Sequence, residues 1–142
     1  MADPLRGAWL QRRLHPVQVL VYARLGSTQQ TALARLDEGQ LAPPALVTAS
    51  RQTAGRGQRN NRWWSDGGTL CASLVLPVVP GLPVGQVPLR AGLAVARVLE
   101  RHLPGARVQL KWPNDVLVDG RKIAGLLCHR ARGADVIGLG LN

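Results

Sequence analysis

Apolar residues fall into short runs, interrupted by two stretches with a helical period. The run at 17–22 reads as a strand. Ser27-Thr28 then offers an N-cap, and 29–38 follows a helical pattern closed by Gly39. A second buried strand is expected at 45–49, and a third at 69–76, ended by Pro77. Pro80-Gly81 and Pro83 mark a connection, and Pro88 suits the first turn of a helix. Leu89, Leu93, Ala96, Leu99 and Leu103 keep helical spacing up to Pro104-Gly105. Residues 108–112 read as a strand, and 115–118 with 122–129 as a hairpin about Asp119-Gly120. A turn at Arg132-Gly133-Ala134 leads into a last strand at 136–141. Residues 1–14, basic and carrying Trp9, are expected to be a frayed segment or a short helix. This order of elements predicts one α+β domain over 1–142, a mixed β-sheet with flanking helices.

The segment 51–68 breaks the pattern. It holds four Gly, four Arg, Trp63 and Trp64, and almost no aliphatics. A long loop inside a short domain is usually functional or disordered. Composition adds to this picture. The core is Leu, Val and Ala with no Phe, so the four tryptophans are the large aromatic anchors. The net charge of +10 points to an anionic partner: nucleic acid, nucleotide or acidic protein. A general bias toward Arg would give the same number. No apolar run approaches a membrane span and no secretory leader is evident, so a cytoplasmic location is expected. Cys71 and Cys128 lie in apolar runs and read as small core residues of a reduced protein. Neither is spaced from His15, His102 or His129 as a metal ligand would be, so no protein-held metal is expected from them.

Of eighteen cationic side chains only Lys111 and Lys122 are lysines, and both sit in short motifs. Lys supplies a compact point charge that can follow a phosphate or carboxylate oxygen. Lys111-Trp112-Pro113-Asn114-Asp115 ends a strand; it is an ordinary strand-to-turn transition, or a Lys and an Asp facing one cleft. Lys122-Ile123-Ala124-Gly125 is a strand lysine pointing to water, or one beside a close ligand approach. In Gly55-Arg56-Gly57 the glycines let backbone N–H groups approach an anion and Arg adds a fork, although a solvated loop has the same composition. Gly138-Leu139-Gly140-Leu141-Asn142 is a strand with one thin face. No phosphate-binding Gly-Lys loop, dinucleotide fingerprint or nucleophile triad is present.

Taken together with Ser27-Thr28-Gln29 and Gln52-Thr53-Ala54, these motifs resemble the catalytic domain of biotin protein ligases over residues 20–142. The resemblance implies a fold like the catalytic core of class II aminoacyl-tRNA synthetases. It implies ATP-dependent activation of biotin to biotinyl-5′-adenylate, then transfer to a lysine of a carboxylase biotin carrier domain. The substrates would be biotin and ATP, with Mg2+ as MgATP. Ser27, Thr28 and Gln52 would bind the biotin ureido head. Gly55 and Arg56 would belong to a lid over biotin and the adenylate, with Arg59 a second phosphate-side cation and Trp63 closing over it. Lys122 would touch both the biotin carboxylate and the α-phosphate, supported by Lys111. Asp115 would orient or deprotonate the acceptor lysine, or help place magnesium. Gly125, Gly138 and Gly140 would line the pocket, and Asn114 and Asn142 would face the nucleotide.

Three positions depart from the family pattern: Asn60 where a Gly is usual, Gln58 where some members have Arg, and His129 where Glu is common. An Asn tolerates the left-handed backbone that the Gly would supply. Chain length leads to the expectation of a C-terminally truncated catalytic domain, lacking both a DNA-binding domain and a C-terminal β-barrel. Rival readings are a lipoate–protein ligase, an inactive fragment, and a basic nucleic-acid-binding module. The favoured reading expects no membrane or nucleic-acid partner and leaves a homodimer open.

Overall fold

The computed structural model describes residues 4–142. Seven strands form one mixed sheet: β1 (Gln18–Leu25), β2 (Ala45–Gln52), β3 (Leu70–Pro77), β4 (Val108–Lys111), β5 (Asp115–Val118), β6 (Arg121–Ala131) and β7 (Ala134–Leu141). Their order across the sheet is β1-β2-β3-β7-β6-β5-β4. β1 and β2 are parallel, joined through helix α2 (Thr28–Asp37), the kind of crossover that parallel pairing requires. The other neighbouring pairs are antiparallel. The expected α+β architecture with a mixed sheet is therefore present.

Alternation along the strands divides the core between two faces. Val136 points to the side covered by α2, where Ala32 and Leu36 pack on Val47 and Val75. Its neighbour Ile137 points to the other side, toward Val87 at the start of α3 (Val87–His102). Farther along α3, Ala96 and Leu99 bury Val116 and Ala124. Gly92 lets α3 approach closely, because a methyl there would meet Leu110 and Leu126 at 3.3 Å. Helix α1 (Pro4–Arg13) lies against β1; residues 1–3 of the basic extension fall outside the described residues. Among the described residues no helix is long and apolar enough to cross a membrane.

Several strands outrun their hydrophobic patterns. β1 and β2 continue side by side through Arg24↔Arg51 and Leu25↔Gln52, so the loop expected at 51–68 starts only at Thr53. Backbone pairing does not need apolar side chains, and the apolar pattern misses it. β6 reaches Ala131 and β7 starts at Ala134, leaving a two-residue turn in which Arg132 (φ 51°) and Gly133 (φ 74°) are both left-handed. The β5–β6 turn repeats this with Asp119 (φ 49°) and Gly120 (φ 78°), as Asp-Gly predicts. β4 ends at Lys111, so Trp112 lies beyond the strand rather than in it.

Candidate functional site

The site lies on the α2 side of the sheet, at the N-terminus of that helix. Ser27 has extended backbone (φ −154°) and caps α2 by accepting the Gln30 N–H at 3.4 Å. The next residue joins the helix to β2: Gln52 Oε1 accepts from Thr28 N at 2.7 Å and lies 3.1 Å from Thr28 Oγ1. Thr28 Oγ1 is also 3.0 Å from Ser73 Oγ on β3, which lies 2.9 Å from Gln29 Oε1. Ser27, Thr28, Gln29 and Ser73 are all buried, so one end of the site is a wall of hydroxyls and amides.

A β-bulge sets the opposite end. The β5–β6 register runs Val116↔Ala124 and then Leu117↔Lys122, so Ile123 is an extra residue in β6. The bulge shifts the alternation. Ala124 and Ile123 pack beneath α3, while Lys122 crosses Gly125 on the other face; a methyl on Gly125 would meet Lys122 Cε at 3.3 Å. Lys122 Nζ lies 2.9 Å from Asp115 Oδ1, an ion pair without a hydrogen bond aligned on that oxygen. It also stands 5.6 Å from the centre of the Trp63 ring, within cation–π reach.

The loop from Thr53 onward covers the site and is more ordered than its composition suggests. Trp63 N donates to Gly55 O at 2.9 Å, and Gly57 N to Asn61 O at 2.7 Å, across a single turn at Gln58–Asn60. Ser65 clamps the base by accepting from Gln52 N at 3.0 Å and donating to Gln52 O at 3.1 Å. A methyl on Gly55 would sit 2.6 Å from Trp63 O, so only Gly permits this closure. The left-handed residue of the turn is Arg59 (φ 54°), next to the Asn60 expected for that role. Trp63 folds inward and rests on Gly140 and Gly125, where a methyl on Gly140 would overlap the indole. These two glycines thus seat an aromatic side chain of the loop.

A cavity of about 400 Å³ results. Of the expected site residues it brings together Ser27, Thr28, Gln52, Arg56, Arg59, Trp63, Asn114, Asp115, Lys122, Gly125, Gly138 and Gly140. Three stand apart. Lys111 is exposed at the end of β4, outside the lining. Gly55 is buried in the loop closure. Asn142 is tied down beside the cavity by Thr69 Oγ1 at 3.0 Å and by its own N–H to Ile123 O. Asn114 spends its amide on Leu126 O at 2.9 Å, fixing the β4–β5 turn to β6. Sequence reasoning missed Gln29, Arg62 and Asn61 in the lining and Ser73 behind it. Ser73 carried a signal: it is the lone hydroxyl of the inward-facing β3 positions.

The cavity is therefore polarised. Hydroxyls and amides line one end, Trp63 and Leu127 come next, and Lys122 lies beyond Trp63, with Arg56, Arg59 and Arg62 also in the lining. Fixed cations beside a hydrogen-bonding end can hold an anion and orient a neutral polar group at once. Neither cysteine suits nucleophilic work: burial pushes the Cys71 thiol up, and burial together with the Asp135 carboxylate pushes Cys128 to about 12.

Residues 21–142 match the model of the biotin/lipoate A/B protein ligase family. The chain is similar to the biotin–[acetyl-CoA-carboxylase] ligase of Mycobacterium tuberculosis, 41% identical over 133 residues, which cover 88% of this chain and 49% of that protein. The fold is similar to the biotin acetyl coenzyme A carboxylase synthetase of Helicobacter pylori solved with biotinylated ATP. That match has a TM-score of 0.81 at 33% identity and covers 89% of this chain and 61% of that one. It is also similar to the biotin protein ligase of Aquifex aeolicus in complex with biotin and ATP, with a TM-score of 0.76 at 32% identity, covering 88% of this chain and 52% of that one. The chain spans about half the length of the relatives it matches.

Proposed function

The chain belongs to the biotin/lipoate A/B protein ligase family, and from that premise we propose that it activates biotin with ATP and passes it to a lysine of a carboxylase carrier domain. A carboxylate oxygen of biotin attacks the α-phosphorus of ATP, and the bond to pyrophosphate breaks. The carrier lysine amine then attacks the acyl carbon, AMP leaves, and the amine gives up a proton.

The polarised cavity carries this reading. Biotin has a ureido ring that donates and accepts hydrogen bonds, an apolar chain and a carboxylate, in that order. The cavity offers hydroxyls and amides, then Trp63 and Leu127, then the Lys122 ammonium, in the same order. The dithiolane of lipoate offers the buried hydroxyls and amides no N–H donor, and leaving such groups unmatched costs affinity.

Lys122 is suited to stabilise charge as the carboxylate and phosphate meet, since two anions approach only with cations fixed between them. Arg56 and Arg59 on the lid add to that field, and Trp63 shields a water-labile mixed anhydride. Asp115 pairs with Lys122; once substrate oxygens take over the ammonium, the carboxylate is released to orient or deprotonate the acceptor amine. Magnesium enters as part of MgATP. The reaction requires a location where ATP and a carboxylase carrier domain are both present.

Calorimetric titration of the purified chain with biotin and lipoate tests the substrate assignment. Biotin should bind at least tenfold tighter; equal or tighter binding of lipoate would reverse the assignment.

A further inference from the structure

We propose that Gln29, which approaches the cavity from the first turn of α2, is a positioning residue that sets the hydrogen-bond polarity of the hydroxyl end, and that Gly138 is glycine in order to admit its amide. The ligand used as probe rests on the biotin reading; the internal geometry does not.

Gln29 is buried, and its amide has one allowed orientation. Nε2 faces Val136 O at 3.0 Å, Leu127 O at 3.1 Å and His129 Nδ1 at 3.1 Å. Turning the amide over would set its oxygen against two carbonyl oxygens. The two N–H groups can serve the two carbonyls, and His129 Nδ1 is a third contact whose role depends on its tautomer. Oε1 is thereby fixed toward Ser73 Oγ at 2.9 Å and can only accept there. Gly138 lies beneath this amide: a methyl would stand 2.7 Å from Gln29 Oε1 and 3.3 Å from Leu127 O.

The fixed acceptor has consequences along the row of oxygens Gln29 Oε1, Ser73 Oγ, Thr28 Oγ1 and Gln52 Oε1. Three contacts link them, at 2.9, 3.0 and 3.1 Å, and two hydroxyl protons serve those contacts. With Gln29 drawing the Ser73 proton, none is left for the 3.0 Å contact between Ser73 and Thr28, whose own hydroxyl donates to Gln52 Oε1. Gln52 Oε1 keeps the Thr28 N–H at 2.7 Å. Thr28 Oγ1, receiving no proton from Ser73, then keeps its lone pairs for the cavity, an acceptor suited to an N–H donor. Without Gln29 the Ser73 proton turns to Thr28 Oγ1 and occupies that acceptor.

The test is calorimetric binding of biotin and, separately, ATP to the wild-type chain, Gln29→Ala, Ser73→Ala and the double variant. Gln29→Ala should weaken biotin about tenfold and leave ATP unchanged, the size of one lost hydrogen bond to ligand. Ser73→Ala, which removes the competing proton, should bind biotin as the wild type does, and so should the double variant. Wild-type affinity in Gln29→Ala, the same loss in the double variant, or an equal loss for ATP would each overturn the proposal. If Gln29→Ala does not fold, Gly138→Ala takes its place: the added methyl pushes the amide off Ser73 and should also weaken biotin about tenfold. Unchanged affinity in Gly138→Ala would overturn the proposal equally. A wild-type chain that binds ATP but not biotin would remove the biotin reading and this inference with it, whereas a wild-type chain that binds biotin confines any failure to Gln29.

Discussion

Lys122 Nζ is held 2.9 Å from Asp115 Oδ1, and the β6 bulge at Ile123 is what brings the two together. If β6 alternated regularly through Ile123, Lys122 would share a face with Ala124 and point away from the cavity. The Lys122 side chain is 46% exposed, so the ion pair adds little to stability and can be exchanged for substrate oxygens.

Lys122→Ala should therefore leave biotin affinity within about threefold while slowing adenylate formation by roughly a hundredfold or more, the usual effect of losing a charge-stabilising group. Single-turnover measurement of biotinyl-adenylate decides the matter; wild-type turnover would remove Lys122 from the chemistry.

Gly140→Ala tests the lid. The new methyl would fall inside the Trp63 indole, so the loop must lift. Adenylate should escape faster, by about tenfold for loss of a modest packing contact, and Trp63 emission should shift to the red. Arg56→Ala should also speed escape, through lost charge and with Trp63 still seated. An unchanged release rate in Gly140→Ala would mean that Trp63 does not close the site.

The thiols offer a pH test. Cys128 is pushed up to about 12 from an ordinary 9.0, so at pH 8 about one thiol in ten thousand is thiolate. Alkylation by iodoacetamide at pH 8 should be at least a hundredfold slower in the folded chain than in denaturant. Because the folded value lies above the unfolded one, burial of the neutral thiol stabilises the fold below pH 9, and that contribution fades as pH rises from 9 toward 12. The melting temperature should fall over that interval, and Cys128→Ala should reduce the fall.

Much of the architecture was legible from periodicity. The helical spacing from Leu89 to Leu103 marked α3, Ser27 marked the start of α2, and Asp119-Gly120 marked a hairpin turn. What periodicity misses is backbone pairing through polar residues, as at Arg24↔Arg51, which carried β2 into the expected loop. At the site, motif residues such as Lys122 and Thr28 were legible because their residue types are unusual in their surroundings. Gln29 was not, since a polar residue in the first turn of a helix is ordinarily solvated; only the fold brings Ser73, Leu127 O and Val136 O around it. Lys111 shows the opposite failure, because a short motif does not say which of its side chains turns inward.

The central claim is that this cavity joins a biotin carboxylate to an adenylyl group. Biotin-dependent ATP–pyrophosphate exchange by the purified 142-residue chain, with lipoate in parallel, tests it most directly. The account predicts exchange with biotin and none with lipoate. Exchange with lipoate, or none with biotin from a chain shown to be folded, would contradict it.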